Sequence, residues 1–348
     1  ELMNFFIVES PFQLLSAIEA NNYYSNEENI LIIKYAPEKS NSKNNEQLKL
    51  LKSLIIWSKI IEIENSSSFL MANLKLVFQI KEIQNKFTHI DKIFIGEYRS
   101  WFMRQYFNIL NPISCFALDD GNMTIELQKS YIPTGKYYEI KTWKSVLKRL
   151  LHKLILLFFK SKQVKNRLDI NLFTCFDLKP YSEKQTLIKH SFEYLKKQNK
   201  SKEVLKNVVY FFGGNLSETG VISEENEIRE LIEIQKYYVE KNIKLIYLPH
   251  RRESIKKLDY LENELNIEFR YSTYPAEVEF IIMDALPQYL ASFMSTALYT
   301  VSKIVDFEDV IAFKLPFEKI NDMYLQDIIS AYDDYEKTIK VINLNELI

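Results

Sequence analysis

From its start the chain alternates short apolar runs with longer stretches whose apolar residues recur at helical spacing. Residues 4–8 read as a buried strand, and 11–21 as a helix with proline at its first position, where the missing N–H costs nothing. Residues 29–34 and 60–63 read as strands around a helix at 45–57. An amphipathic helix over 72–87, a strand at 89–95, a helix at 101–110 and a strand at 113–118 follow. The same rhythm returns with strands at 208–212, 244–248, 267–271, 289–293 and 310–312, and helices at 224–241, 255–265, 278–285, 297–304 and 323–335. Strands that alternate with helices predict parallel sheets with helices on both faces. Two such runs predict an α/β chain of two Rossmann-like domains facing a central cleft. The expected boundaries are 3–140 for an N-terminal, acceptor-side domain, 141–170 for a connecting segment and 171–348 for a C-terminal, nucleotide-binding domain.

The connecting segment breaks the rhythm. Residues 141–167 hold seven lysines, two arginines and no acid, interleaved with Val146, Leu147, Leu150, Leu151 and further apolar residues to Phe159. As a helix this has a wide apolar face and a basic one, which suits an anionic membrane surface. The alternatives are a solvated helix packed on the core and a homodimer contact. The whole chain does not share this charge: 348 residues carry a net charge of −1, so composition points away from nucleic acid. With 47% hydrophobic residues there is material for two cores. Cys115 and Cys175 lie in apolar runs and read as buried free thiols, with no Cys/His spacing for a structural zinc site. Residues 5–8 are too short an apolar run for a signal peptide, and Glu9 follows. No stretch reaches the ~18 apolar residues of a membrane span. The expected location is the cytoplasm, peripheral at the inner face of the membrane.

The candidate chemistry gathers where predicted strands end, the edge at which open α/β sheets bind ligands. Asp119-Asp120-Gly121 closes one strand; a carboxylate there is a candidate general base, its neighbour a group that raises its pKa, and Gly121 a turn. The same pair could instead ligate a divalent ion. Leu248-Pro249-His250-Arg251-Arg252 closes another strand, where His250 is a candidate donor to a departing phosphate oxygen with Arg251 beside it. Ser292-Phe293-Met294-Ser295-Thr296 leads into a helix, so Ser292, Ser295 and Thr296 are candidate phosphate ligands. Gly213-Gly214-Asn215 follows a strand and is expected to bring backbone close to a ligand. Glu277, at the start of a helix, is a candidate for ribose hydroxyls.

Four short motifs occur in a telling order: Glu9-Ser10-Pro11-Phe12-Gln13-Leu14-Leu15, Asp119-Asp120-Gly121, Pro249-His250, and Phe293-Met294-Ser295-Thr296-Ala297-Leu298. Together they resemble the bacterial sialyltransferases of glycosyltransferase family 52, which are kin to the bacterial polysialyltransferases. The resemblance implies a GT-B-like fold, a CMP-activated sialic acid or related nonulosonic acid as donor, and inversion at the anomeric carbon with no cofactor and no metal. It implies Asp120 as general base, His250 as the group assisting phosphate departure, and Ser295 and Thr296 as phosphate ligands; Arg251 stands where the family's His-Pro motif has proline. The implied acceptor is a surface glycan or glycolipid, as in lipooligosaccharide or capsule. Two other readings remain open: a metal-dependent transferase using a nucleotide-diphosphate sugar with Asp119 and Asp120 as ligands, and a non-catalytic membrane-surface protein.

Overall fold

A computed structural model describes residues 2–37, 42–64, 66, 68–87, 89–134, 143–161 and 167–343, so both ends of the basic segment, 141–142 and 162–166, lie outside the described residues. The chain divides into two compact units, Glu1–Tyr194 and Leu195–Ile348.

In the first unit, seven parallel strands form one sheet: β1 (Met3–Val8), β2 (Glu28–Tyr35), β3 (Lys59–Glu64), β4 (Lys92–Ile95), β5 (Ser114–Ala117), β6 (Ile170–Thr174) and β7 (Leu187–Lys189). Their spatial order is β3-β2-β1-β4-β5-β6-β7. All six residues of β1 are buried, as a central parallel strand covered on both faces requires. The helices are α1 (Pro11–Tyr23), α2 (Ser42–Leu51), α3 (Phe69–Lys86), α4 (Trp101–Leu110), α5 (Asn122–Glu126) and α6 (Trp143–Phe158). Because chain order runs outward in both directions from β1 and β4, the sheet has its topological switch point between those two strands.

The second unit repeats the plan with six parallel strands: β8 (Glu203–Phe212), β9 (Lys244–Leu248), β10 (Glu268–Phe269), β11 (Ala285–Ser292), β12 (Asp309–Lys314) and β13 (Lys340–Asn343). Their order, β10-β9-β8-β11-β12-β13, puts the switch point between β8 and β11. Its helices are α7 (Glu193–Asn199), which begins at the division between the units, α8 (Glu224–Glu240), α9 (Ile255–Asn263), α10 (Ala276–Ile282), α11 (Thr296–Ile304) and α12 (Asp322–Tyr335). Two Rossmann-like domains are therefore present, as the hydrophobic rhythm predicts.

The expected boundary near residue 170 is corrected by strand pairing. Leu172 of β6 pairs with Ala117 of β5 and Leu187 of β7, so 170–189 completes the first sheet rather than opening the second. Nor is the basic segment a connector between domains: α6 lies in the crossover from β5 to β6. Its His152 Nδ1 meets Asn73 Oδ1 of α3 at 2.9 Å, and Ile155 and Leu156 join the first unit's core. Both cysteines are buried and in no disulfide, as expected.

Candidate active site

At the switch point of the first sheet, three loops meet through side chains. Ser10 caps α1 by accepting from the Gln13 N–H at 3.4 Å, which fixes Gln13 in the first helical turn behind β1. The Gln13 Oε1 accepts from the Glu9 N–H at 2.9 Å, so its Nε2 is left to donate, and it does so to Asp120 Oδ1 at 2.9 Å. The Gln13 side chain passes over Gly96, directly after β4, where any Cβ would collide with it. Asp120 follows β5. Its N–H donates to Thr124 Oγ1 at 2.8 Å, and Gly121 turns the chain at φ +61, a conformation that favours glycine. Gly96, Glu97, Arg99, Asp120, Met123 and Thr124 line a shallow pocket here.

The electrostatics of this pocket set two carboxyls apart. Burial pushes Asp120 up, the Gln13 N–H opposes it, and the negative charge of Glu97 adds to the rise, leaving Asp120 at about 7. Burial acts on Glu97 too, but Arg99 overcomes it. The Arg99 Nε and Nη2 donate to the two Glu97 oxygens at 2.9 and 2.6 Å and its backbone N–H adds a third bond at 2.8 Å, so Glu97 is held below the usual carboxylate range. One carboxyl of the pair is therefore ionised and the other poised near neutrality, as a general base requires.

Asp119 does something different. It does not face the pocket but is wholly buried, accepting from Thr174 Oγ1 at 2.5 Å and the Cys175 N–H at 2.7 Å, with His190 Nε2 at 3.2 Å. The two neighbouring carboxylates thus have different partners, Thr174 and Cys175 for Asp119 and Gln13 for Asp120. Asp119 ties β5 to the loop after β6, and the expectation that it binds substrate is corrected. Asp119, Cys175 and His190 stand near enough to hold a metal ion together, and the same Asp119 oxygens accept from Thr174 Oγ1 and the Cys175 N–H.

In the second unit the ends of β9, β8 and β11 lie side by side. The Gly213 N–H donates to the Leu248 carbonyl at 2.9 Å, and the buried Ser292 hydroxyl donates to the Phe212 carbonyl at 2.9 Å. Ser292 thus clamps two strands, and its expected ligand role is corrected. Gly213 is buried for an internal reason as well: a Cβ there would stand 2.5 Å from Glu253 Oε2 and 2.6 Å from the Tyr247 hydroxyl. Close packing against that pair therefore requires glycine at this position. Gly214 and Asn215 remain half-buried at the strand end, with the Asn215 carbonyl accepting from Thr219 Oγ1 at 2.8 Å.

Beneath these loops lies Lys257 of α9, fully buried among carboxylates. Its Nζ stands 3.0 Å from Glu227, 3.1 Å from Glu253 and 3.2 Å from Glu218, and donates to the Gly214 carbonyl at 3.2 Å. Burial lowers Lys257, but the carboxylates raise it on balance, so it stays charged. Glu253 is raised by burial and in turn accepts from the Tyr247 hydroxyl and the His250 N–H, both at 2.6 Å. This network holds the loop that carries His250. Burial lowers the His250 pKa, and Arg251 and Arg252 lower it further, so the ring is neutral at pH 7. The Arg252 N–H points at His250 Nδ1 at 3.3 Å, which leaves the ring proton on Nε2 as an outward donor. His250 is therefore fitted to donate a hydrogen bond as a neutral ring rather than to act as an imidazolium acid.

Across the switch point, Ser295 caps α11 by accepting from the Ala297 N–H at 3.3 Å, and Thr296 is exposed at the first helical position. Glu277, in the first turn of α10, accepts from Thr300 Oγ1 one turn beyond Thr296. The fold thus gathers His250, Arg251, Gly214, Asn215, Ser295 and Thr296 at one carboxyl edge, with Glu277 beside α11. Sequence reasoning missed Glu97, Arg99, Lys257 and the role of Gln13. Of these, Glu97 carried a usable signal, since it directly follows Gly96 at a strand end.

No family model matches the chain, and no curated protein matches it. Among solved structures it is similar to the ADP-heptose LPS heptosyltransferase II of E. coli, at 10% identity over 90% of this chain and 85% of that one, with a TM-score of 0.39. It is also similar to the UDP-GlcNAc 2-epimerase of Neisseria meningitidis bound to UDP-GlcNAc, at 13% identity over 99% and 95% of the two chains, with a TM-score of 0.41. Phytolacca americana UGT2, complexed with UDP-2fluoro-glucose and pterostilbene, matches at 10% identity over 98% and 85%, with a TM-score of 0.48. At these identities and scores, the fold description rests on the strand orders of the two sheets.

Proposed function

We propose that the chain is an inverting glycosyltransferase of GT-B type that moves sialic acid, or a related nonulosonic acid, from a CMP-sugar to a surface glycan or glycolipid. The observation that carries this reading is Asp120: a carboxyl at a switch point, held at about 7 beside an ionised Glu97. The order of the four motifs resembling family 52 sialyltransferases supports the donor class.

In this reading Asp120 takes the proton of the acceptor hydroxyl as its oxygen bonds to the anomeric carbon. The bond from that carbon to the CMP phosphate breaks, and the phosphate oxygen leaves with the electron pair. His250 Nε2–H donates a hydrogen bond to that oxygen, and Arg251, Ser295, Thr296 and the amino end of α11 receive the phosphate. Gly214, Asn215 and Glu277 border the nucleoside side. Gln13 orients Asp120, whose pKa is raised by burial and, after that, by Glu97. The reading calls for no metal or cofactor. The metal-dependent alternative requires Asp119 and Asp120 as joint ligands, whereas their side chains bond to different partners, Thr174 and Gln13.

A thermal-shift titration with CMP, UMP, GMP and UDP, with and without EDTA, tests the reading. A ligand that binds only the folded state raises the melting temperature by mass action. CMP-selective, EDTA-insensitive stabilisation is expected. Stabilisation by UDP that EDTA abolishes would select the nucleotide-diphosphate alternative, and no shift with any nucleotide would select the non-catalytic one.

A further inference from the structure

Helix α6 has a feature that neither the sheet nor the candidate site explains. Its inner face, formed by Leu151, His152, Ile155, Leu156 and Phe159 just past its end, packs on the first unit's core, with His152 edge-on to Trp101 at 4.6 Å. The opposite face is apolar as well. Val146, Leu147, Leu150, Leu154, Leu157 and Phe158 recur at three- and four-residue spacing and are exposed by 49% (Val146) to 79% (Phe158). Trp143 begins the same stripe, 69% exposed. A surface helix ordinarily turns its polar residues outward, because a single apolar stripe suffices to bury it. On α3, against which α6 packs, Leu70, Met71 and Phe78 are exposed too. A contiguous apolar face of this kind marks a contact with something outside the chain.

The charges around the stripe indicate what that is. Arg149, Lys153 and Lys160 are exposed, and residues 141–167 contain no aspartate or glutamate. A second copy of the chain docking symmetrically on this helix would set these cations against their own counterparts, with no acid on the helix to pair them. An anionic bilayer surface meets both demands: acyl chains for the apolar stripe and phosphate headgroups for the flanking cations. We infer that the outward face of α6 seats the first unit on an anionic lipid surface, with the helix lying in the plane of the interface. No helix among the described residues is long and apolar enough to cross a membrane, so the contact is a peripheral one. It does not depend on the transferase reading, because it uses none of the residues assigned to the reaction.

Co-sedimentation of the whole chain with phosphatidylcholine vesicles, with and without phosphatidylglycerol, tests the inference without any sugar donor. Binding is expected to the anionic vesicles, to weaken with salt, and to fall about tenfold or more in the double variant Leu150→Glu, Leu154→Glu. Both leucines point away from the core, so the tryptophan emission of the variant should match that of the parent. Should it fail to fold, Arg149→Glu with Lys153→Glu must weaken anionic binding by a similar factor. Absence of binding to either vesicle, or binding that neither variant weakens, overturns the inference. So does a concentration-dependent dimer, without lipid, that the leucine variant dissolves; the face would then be an interface between copies. Nucleotide stabilisation in the leucine variant reports on the transferase reading separately.

Discussion

Replacing Asp120 with asparagine separates the proposed base from an ordinary surface carboxylate, and the effect is readable without substrate. Burial and Glu97 move Asp120 from 3.8 to about 7, so in the folded state it keeps its proton through a range where the unfolded chain has lost it. The folded state binds more protons between about pH 4 and pH 7, and stability therefore falls as pH rises, by about 1.4 kcal/mol per pH unit from this group. The contribution is whole below the unfolded pKa and is lost once pH passes the folded one. Integrated between pH 5 and pH 8, the loss is up to about 2.5 kcal/mol. Asparagine keeps the shape and cannot ionise, so Asp120→Asn should be relatively more stable at pH 8 than at pH 5 by that amount, while transfer falls about 100- to 10,000-fold. The assay is urea unfolding of both proteins across this pH range, followed by tryptophan emission. Trp57, Trp101 and Trp143 are the chain's three tryptophans and all lie in the first unit, so the signal reports the unit that holds Asp120. Parallel stability curves for the two proteins would refute the raised pKa and, with it, the argument for Asp120 as a base working near neutrality.

Three further outcomes are expected. Gly96→Ala should push Gln13 off Asp120 and lower kcat with little change in CMP binding, measured by kinetics beside a CMP thermal shift; an unchanged kcat would remove Gln13 from the site. Lys257→Met leaves buried carboxylates uncompensated and should destabilise the second unit by about 3–5 kcal/mol, read by hydrogen exchange in β8 and β9, whereas wild-type protection would deny the network its structural role. His250→Gln should retain more activity than His250→Ala, because a neutral donor can replace a neutral donor; equal losses would contradict the Nε2–H role.

How much of this was legible in the sequence depended on burial. Strands β1, β2, β8 and β9 were readable because central parallel strands are runs of apolar residues, whereas the three residues of β7 are half-buried or exposed and leave no run to read. The domain boundary was misplaced because the basic segment resembles a linker by composition. What decides its place is the inner face of α6 packing on the core, and no periodicity separates an inner apolar face from an outer one. The Asp-Asp-Gly triplet marked the right strand end but could not say which carboxylate faces outward. That is settled by partners beyond the end of β5, where Asp119 meets Thr174 and Asp120 meets Gln13. Glu97, Arg99 and Lys257 went unread because their significance is a matter of partners, and pairings such as Lys257 with Glu227, thirty residues apart, exist only after folding.

The two switch points solve opposite electrostatic problems. In the first unit two carboxyls are kept close and one cation, Arg99, is committed to Glu97, so Asp120, raised first by burial, also bears the repulsion of Glu97. In the second unit one cation, Lys257, is surrounded by three carboxylates, of which Glu253 is raised by burial, and the charges are spent on one another below the surface. Lys257 is consequently unable to attract a phosphate, although it lies under the loops that would hold one. In the proposed reading, the phosphate is met by groups above the network: Arg251, the Ser295 and Thr296 hydroxyls, and the amino end of α11. The buried network holds the His250 loop through the His250 N–H bond to Glu253, while burial and the neighbouring Arg251 and Arg252 lower the ring's pKa. A fold that placed a free lysine there would bind phosphate more tightly in the ground state, whereas in the proposed reaction a neutral histidine donor would answer the charge that grows on the leaving phosphate oxygen.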